Sequence, residues 1–212
     1  FQSENFAKQF GLEGKKHLYL GSPKYDNINR WNKLAICEMY ELDPASPHCT
    51  IIYPSSKYHL PFKMQDLIDA VRNRGYKVIV KGRGKDKMPN PYICDHYIED
   101  QSWFPHSTQQ LLAISDIAIN PESTSVKEMV MHRVPFVNIE CKSHRNWLNF
   151  LIDPAYACSV GSHELGKNDI ARFEAAIDCL EHVKPEDFDE KINEFLFSGN
   201  SSNRILDKLG LK

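Results

Sequence analysis

Between residues 48 and 182 the chain alternates two hydrophobic rhythms. Short continuous apolar runs at 49–53, 76–80, 116–120 and 135–139 predict buried strands, because a strand covered on both faces has no polar side. Between them, apolar residues recur three and four apart. Met64, Leu67, Ile68 and Val71 form one helix face that Gly75 closes, and residues 107–114 form another with Leu111 and Leu112 inward. A third helix runs from the loop 121–125 to about His132. A short strand at 96–98, an edge strand at 157–160 and a helix face through Ile170, Phe173, Ile177 and Leu180 complete the set. Strand and helix in strict alternation with short connections imply right-handed crossovers. The expected fold class is therefore α/β: a Rossmann-like, doubly wound parallel sheet with helices on both faces, spanning 48–182.

The flanks are less regular. Phe6 and Phe10 stand four apart, a short apolar run at 17–20 predicts a strand, and Gly21-Ser22-Pro23 turns the chain after it. A weak helical pattern through 28–42 breaks at Asp43-Pro44-Ala45-Ser46-Pro47, which reads as a linker. Beyond 182, Phe188, Ile192, Phe195 and Leu196 predict one helix face, and Ile205, Leu206 and Leu209 a terminal one. Residues 183–212 are thus expected to be helices packed back over the sheet or over a neighbouring domain.

Composition narrows the function classes. The chain has 212 residues and a formal charge of −2, with basic residues dispersed, so a nucleic-acid binder relying on many phosphate contacts is disfavoured. No run approaches the roughly 18–20 apolar residues of a membrane span, and no secretory signal opens the chain. The expected location is cytoplasmic, at most peripheral to a membrane. Cys37, Cys49, Cys94, Cys141, Cys158 and Cys179 show no C-x-x-C spacing and read as reduced thiols. The histidines show no H-x-x-x-H or H-E-x-x-H spacing, so no catalytic metal is expected. The first residue is Phe, which suggests a piece of something longer.

Candidate chemistry gathers where predicted strands end. In Pro121-Glu122-Ser123-Thr124-Ser125 a buried strand breaks and a helix begins, so Ser123, Thr124 and Ser125 could hold a diphosphate through hydroxyls and backbone amides. Ser125 and Glu128 also have the S-x-x-E spacing of a capping box, which needs no ligand. Glu128 could instead accept hydrogen bonds from a ribose diol. Lys81-Gly82-Arg83-Gly84-Lys85 places cations and glycines at another strand end, either a phosphate contact or a solvated turn. It lacks the order of a P-loop. Ser55, in the loop after the first strand of the sheet, is a further substrate-binding candidate; no G-x-S-x-G surrounds it, which disfavours a serine hydrolase. Lys142, His144 and Arg145 follow the 135–139 strand, and Tyr97, Trp103 and Phe104 could pack on a base or belong to the core.

The stretch DIAINPESTSVKEMVMHRVPFVNI resembles the nucleotide-binding signature in the carboxyl-terminal half of GT-B glycosyltransferases and of UDP-N-acetylglucosamine 2-epimerase. HLYLGSPKYDNI is similar to the Gly-x-Pro-x-x-Asp segment that closes the amino-terminal domain of epimerase-like and CDP-glycerol glycerophosphotransferase-like members, and GNSSNRILDKLGL to their last helix. The resemblance covers 17–209. It implies that Glu128 binds the donor ribose and that Ser123, Thr124 and Ser125 hold the diphosphate. It also implies that residues 1–47 are the end of an amino-terminal domain plus a linker, the rest of that Rossmann-like domain being absent from this chain. Arg133 stands where a glycine is usual, and Ser-Thr-Ser replaces the Gly-Gly of the epimerases.

The expected function is the donor-binding domain of a metal-independent GT-B glycosyltransferase. It would act on a nucleotide sugar or nucleotide-activated alcohol, with a glycan or lipid-linked acceptor in surface-polysaccharide assembly. Lys81 and Arg83 are the candidates for stabilising the leaving group, and no cofactor is expected. The alternatives are an isomerase of the UDP-sugar 2-epimerase type and a nucleotide-binding module without catalysis.

Overall fold

In the computed structural model, residues 3–12, 17–54, 60–82, 92–99, 107–121, 123–140, 148–166, 170–196 and 199–211 are described. Six strands form one sheet: β1 (His48–Ile52), β2 (Lys77–Lys81), β3 (His96–Ile98), β4 (Ile117–Pro121), β5 (Phe136–Glu140) and β6 (Ala157–Gly161). Their spatial order is β3-β2-β1-β4-β5-β6, and every pairing is parallel. The chain builds outward from β1 to one edge, then returns to start a second half at β4. The order therefore reverses between β1 and β4, the place where doubly wound sheets open a crevice at the carboxyl ends of their strands.

The helices are α1 (Glu4–Lys8), α2 (Lys33–Met39), α3 (Met64–Asn73), α4 (Ser107–Leu112), α5 (Val126–His132), α6 (Ser162–Leu165), α7 (Ile170–Asp178), α8 (Asp189–Phe195) and α9 (Ser201–Leu209). The period of two along each strand sorts them into layers. Cys49, Ile51, Val78, Val80, Ile117, Ile119, Val137 and Ile139 pack with α3 and α7 on one face. The alternate residues Ile52, Ala118 and Phe136 pack with α5 and α8, and Ile79 with Ile36 and Cys37 of α2 and Leu111 of α4, on the other. Both faces are dry, so the central strands can be apolar throughout.

One finding differs from the sequence expectations. Residues 17–20 form no strand: among the described residues the sheet ends at β3 and β6, and this run pairs with neither. The helix preceding the 43–47 break is part of the core, with Ile36, Cys37 and Leu42 buried against Ile79, Leu111 and Ile114. The apolar side of α9 lies outward, with Leu206 and Leu209 exposed, and the helix is anchored by its polar residues instead.

Candidate functional site

The turn holding Ser123, Thr124 and Ser125 follows β4 directly and so stands at the reversal point, on the rim of the sheet where strands end. Its shape is set from below. Asn120 and Asn138 are opposite one another on β4 and β5, both buried, and Asn120 Nδ2 donates to Asn138 Oδ1 at 2.9 Å. That bond fixes the Asn120 amide, whose Oδ1 accepts from the Ser123 amide at 3.1 Å. Ser123 Oγ accepts from the Ser125 amide at 3.2 Å and donates to Ser125 Oγ at 3.0 Å. The chain then enters α5, whose first amides, of Val126 and Lys127, make long bonds of 3.4 Å to the Ser123 and Thr124 carbonyls.

The capping box that the spacing of Ser125 and Glu128 allows is not formed. Ser125 has helical backbone angles and makes no side-chain cap bond, and Glu128 looks elsewhere. Its carboxylate is 6% exposed and pairs with Lys24, while Tyr25 Oη donates to the same Oε1 at 3.2 Å. Oε2 takes part in neither bond. Lys24 and Tyr25 belong to a 3-10 turn, Pro23–Tyr25, inside the Gly-Ser-Pro-Lys-Tyr-Asp segment. Gln109 of α4 fixes that turn by donating to the Lys24 carbonyl at 3.2 Å, and Trp31 Nε1 contacts the Gln109 Oε1 at 3.4 Å.

The next residue, Asp26, ties the segment to the last helix. Ser201 and Ser202 amides each donate to one of its carboxylate oxygens at 2.6 Å. Burial pushes the Asp26 carboxyl up, but the hydrogen bonds from Ser202 and Ser201 outweigh it and hold it below its ordinary value. Gly21 permits the approach: its φ is +80°, and a Cβ there would stand 2.3 Å from Ser201 Oγ. Arg204 completes the joint by donating to the Leu20 carbonyl at 3.1 Å. Glu128, α4 and α9 are thus joined through one short stretch, residues 20–26.

His132 lies four residues after Glu128, on the same side of α5. Burial lowers its pKa to about 4, against the Glu128 charge, which favours protonation. Its Nε2 is buried without a hydrogen-bond partner among the described residues. The neutral ring borders a cavity of about 420 Å³ that Trp31 and Arg133 also line.

The second group of predicted residues is arranged differently. Lys81 ends β2, is buried, and donates to the Gly82 carbonyl at 2.6 Å. The space left by the missing side chain of Gly82 is taken by Tyr97: a Cβ would stand 2.2 Å from its hydroxyl. The glycine thus admits the tyrosine side chain on this side of its backbone. Ser55, Arg83, Lys142, His144, Arg145, Trp103 and Phe104 lie outside the described residues. Among the described residues no group of three or more His, Cys, Asp or Glu side chains is placed to hold a metal ion, and no helix is long and apolar enough to cross a membrane.

The sequence alone assigns no task to Lys24, Tyr25 and Asp26, and no local pattern marks Asn138, Gln109 or His132. The Gly-Ser-Pro-Lys-Tyr-Asp string was the available signal, since a glycine and a proline around charged residues mark a tight, shaped turn.

No protein-family profile and no curated protein matches the sequence. Solved structures do. The chain is similar to the wall teichoic acid polymerase TagF, with a TM-score of 0.58 at 14% identity over 92% of this chain and 51% of that one. It is similar to the ADP-heptose LPS heptosyltransferase II of E. coli, with a TM-score of 0.56 at 12% identity, over 70% of this chain and 50% of that one. CalG4, the calicheamicin glycosyltransferase, gives 0.55 at 16% identity over 79% and 42%. With its all-parallel six-stranded sheet, the chain has a GT-B glycosyltransferase-like fold and spans about half the length of the structures it matches.

Proposed function

We propose that this chain is the donor-binding domain of a glycosyltransferase that moves a sugar or sugar-like group from a nucleotide-activated donor to a glycan or lipid-linked acceptor. The observation that carries the reading is the position of the 123–125 turn. The turn and its hydroxyls follow β4 at the carboxyl end of the sheet, next to the β1–β4 reversal, where a parallel sheet of this order receives a nucleotide. The neighbours' names support the class, and one of them contains a nucleoside diphosphate sugar, ADP-heptose.

The chemistry follows from charge. Transfer leaves a nucleoside diphosphate, and the donor half of the enzyme must stabilise the negative charge that builds on it. Fixed hydroxyls, backbone amides and cations do this without a metal. Ser123, Thr124 and Ser125 hold the diphosphate in this reading, and Glu128 turns Oε2 toward the ribose diol while Lys24 and Tyr25 fix Oε1. Lys81, Gly82, Arg83 and Ser55 remain candidates for the same rim. The acceptor and the rest of the catalytic machinery come from a further domain, since the chain is about half of each neighbour.

Calorimetry of this chain with UDP, CDP, GDP and ADP tests the reading. One of them is expected to bind, and Ser123→Ala with Ser125→Ala is expected to weaken it at least tenfold, about 1.4 kcal/mol. Binding that is indifferent to both changes, or no binding by any of the four, would overturn it. Transfer of label from the matching nucleotide sugar to an acceptor by the full-length protein separates a transferase from an epimerase, which needs no acceptor.

A further inference from the structure

Beneath the 123–125 turn the sheet carries an amide pair that burial alone does not call for. Asn120 and Asn138 stand opposite one another on β4 and β5, both buried. Two residues earlier on each strand, and so on the same face, Ala118 and Phe136 belong to the apolar layer under α5. Two apolar side chains of similar shape would fill this place at little loss of stability, whereas a buried amide left without partners is costly. What the pair supplies is direction. Asn120 precedes Pro121, which favours an extended backbone, so the free choice left to its side chain is between two orientations a half-turn of the amide apart. Asn138 Oδ1 selects one of them by accepting from Asn120 Nδ2 at 2.9 Å, which leaves Asn120 Oδ1 to accept from the Ser123 amide at 3.1 Å. In the other orientation an NH2 group would meet the Ser123 N–H, donor against donor, and the turn would lose that bond.

We propose that Asn138 is a positioning residue for the donor's diphosphate, acting through Asn120 to hold the 123–125 turn in a single shape. The inference rests on the reading of that turn as the seat of the nucleotide. It adds a residue from the neighbouring strand that, at 1% exposed, has no surface with which to touch the nucleotide itself. The bonds run in series from Asn138 to Asn120 to Ser123, and from there to Ser125, whose amide donates to Ser123 Oγ at 3.2 Å and whose hydroxyl accepts from it at 3.0 Å. Releasing the first bond therefore reaches the hydroxyls at the end of the series.

The test measures calorimetric affinity for UDP, CDP, GDP and ADP, Tm, and amide exchange at Ser123 and Ser125 on this chain and its variants. Asn138→Leu removes the acceptor, so affinity is expected to fall about fivefold, roughly what one net hydrogen bond contributes, and the Ser123 amide to exchange faster. Asn138→Asp keeps an acceptor oxygen and should restore the affinity even as its buried charge lowers the Tm. Asn120→Leu combined with Asn138→Leu should do the reverse: it keeps most of the Tm, yet binds as weakly as Asn120→Leu alone, because Asn138 acts only through Asn120. If the leucine is not accommodated, Asn138→Ala removes the same acceptor. Affinity that merely follows Tm across the set, or that ignores the loss of the Asn138 acceptor, would overturn the proposal. A wild type whose nucleotide binding is weakened by Ser123→Ala with Ser125→Ala but not by Asn138→Leu sinks this inference alone. A wild type that binds none of the four sinks the reading beneath it as well.

Discussion

Glu128 can do two things, and the side chains around it let an experiment tell them apart. Its carboxylate neutralises Lys24 in a place only partly open to water, where an ion pair is harder to lose than on a surface. Its Oε2 takes part in neither the Lys24 nor the Tyr25 bond. Glu128→Gln keeps the shape and an acceptor oxygen but removes the charge. If the residue receives a ribose, nucleotide affinity is expected to fall by about 1–3 kcal/mol, the worth of a hydrogen bond to a charged group. Lys24→Met serves as the control, because it breaks the pair while leaving the carboxylate in place. A purely structural Glu128 would make both variants lower the Tm alike, with nucleotide affinity read by calorimetry unchanged in each. At Gly82 the lesson is of another kind: the residue type was informative but the partner was not, since only the fold brings Tyr97 against it.

At the scale of elements, two helix ends carry testable energies. Helix α5 stops at Arg133, which adopts φ 56° and ψ 40°, while the Val134 amide bonds back to the Met129 carbonyl at 3.0 Å. This left-handed cap is why glycine suits the position. Arg133 is held there by Asp189 at 2.6 Å and by the Pro185 carbonyl. Arg133→Gly loses those contacts but relieves the backbone, whereas Arg133→Ala loses them and keeps the strain. Urea unfolding should find the alanine variant less stable than the glycine variant by about 1 kcal/mol; equal stabilities would mean the cap is unstrained. At the other end of the chain, α9 is too short to persist alone and depends on Asp26. Asp26→Ala should cost about 0.5–2 kcal/mol, the range for a lost cap, with faster amide exchange confined to 201–209. Unaltered exchange there would shift the anchoring to Arg204. Most elements were legible because a 3.6-residue period and a short continuous apolar run are local properties, as 64–73 and 135–139 illustrate. The turn at 123–125 was legible because a buried strand there breaks into hydroxyl-bearing residues. The joint between Lys24 and Glu128 was not, because residues 104 apart share no period and only tertiary packing joins them. The same override defeated the capping box, a sound local pattern whose glutamate found a stronger partner.

For the molecule as a whole, the sheet's two dry faces make acid stability a question of which buried groups must charge. His132 at the end of α5 and His48 at the start of β1 are both held toward the neutral form, chiefly by burial, and His132 Nε2 and both ring nitrogens of His48 are buried without hydrogen-bond partners among the described residues. The unfolded chain protonates a histidine near 6.5, whereas the folded chain keeps His132 neutral down to about 4. Between those values the unfolded state binds more protons, so stability is complete above the upper value and drains away as pH falls toward the lower one. For His132 alone the loss between about pH 7.5 and about pH 4.5 is on the order of 2–3 kcal/mol. Urea unfolding at those two pH values should show it in the wild type, and His132→Gln should recover most of that difference, leaving the smaller share of His48. An identical acid loss in the variant would mean that His132 does not govern it. Glu128 makes the coupling to the candidate site measurable: its charge favours protonated His132, so Glu128→Gln should push the midpoint of the acid loss lower still, linking the residues beside the 123–125 turn to the stability of the entire sheet.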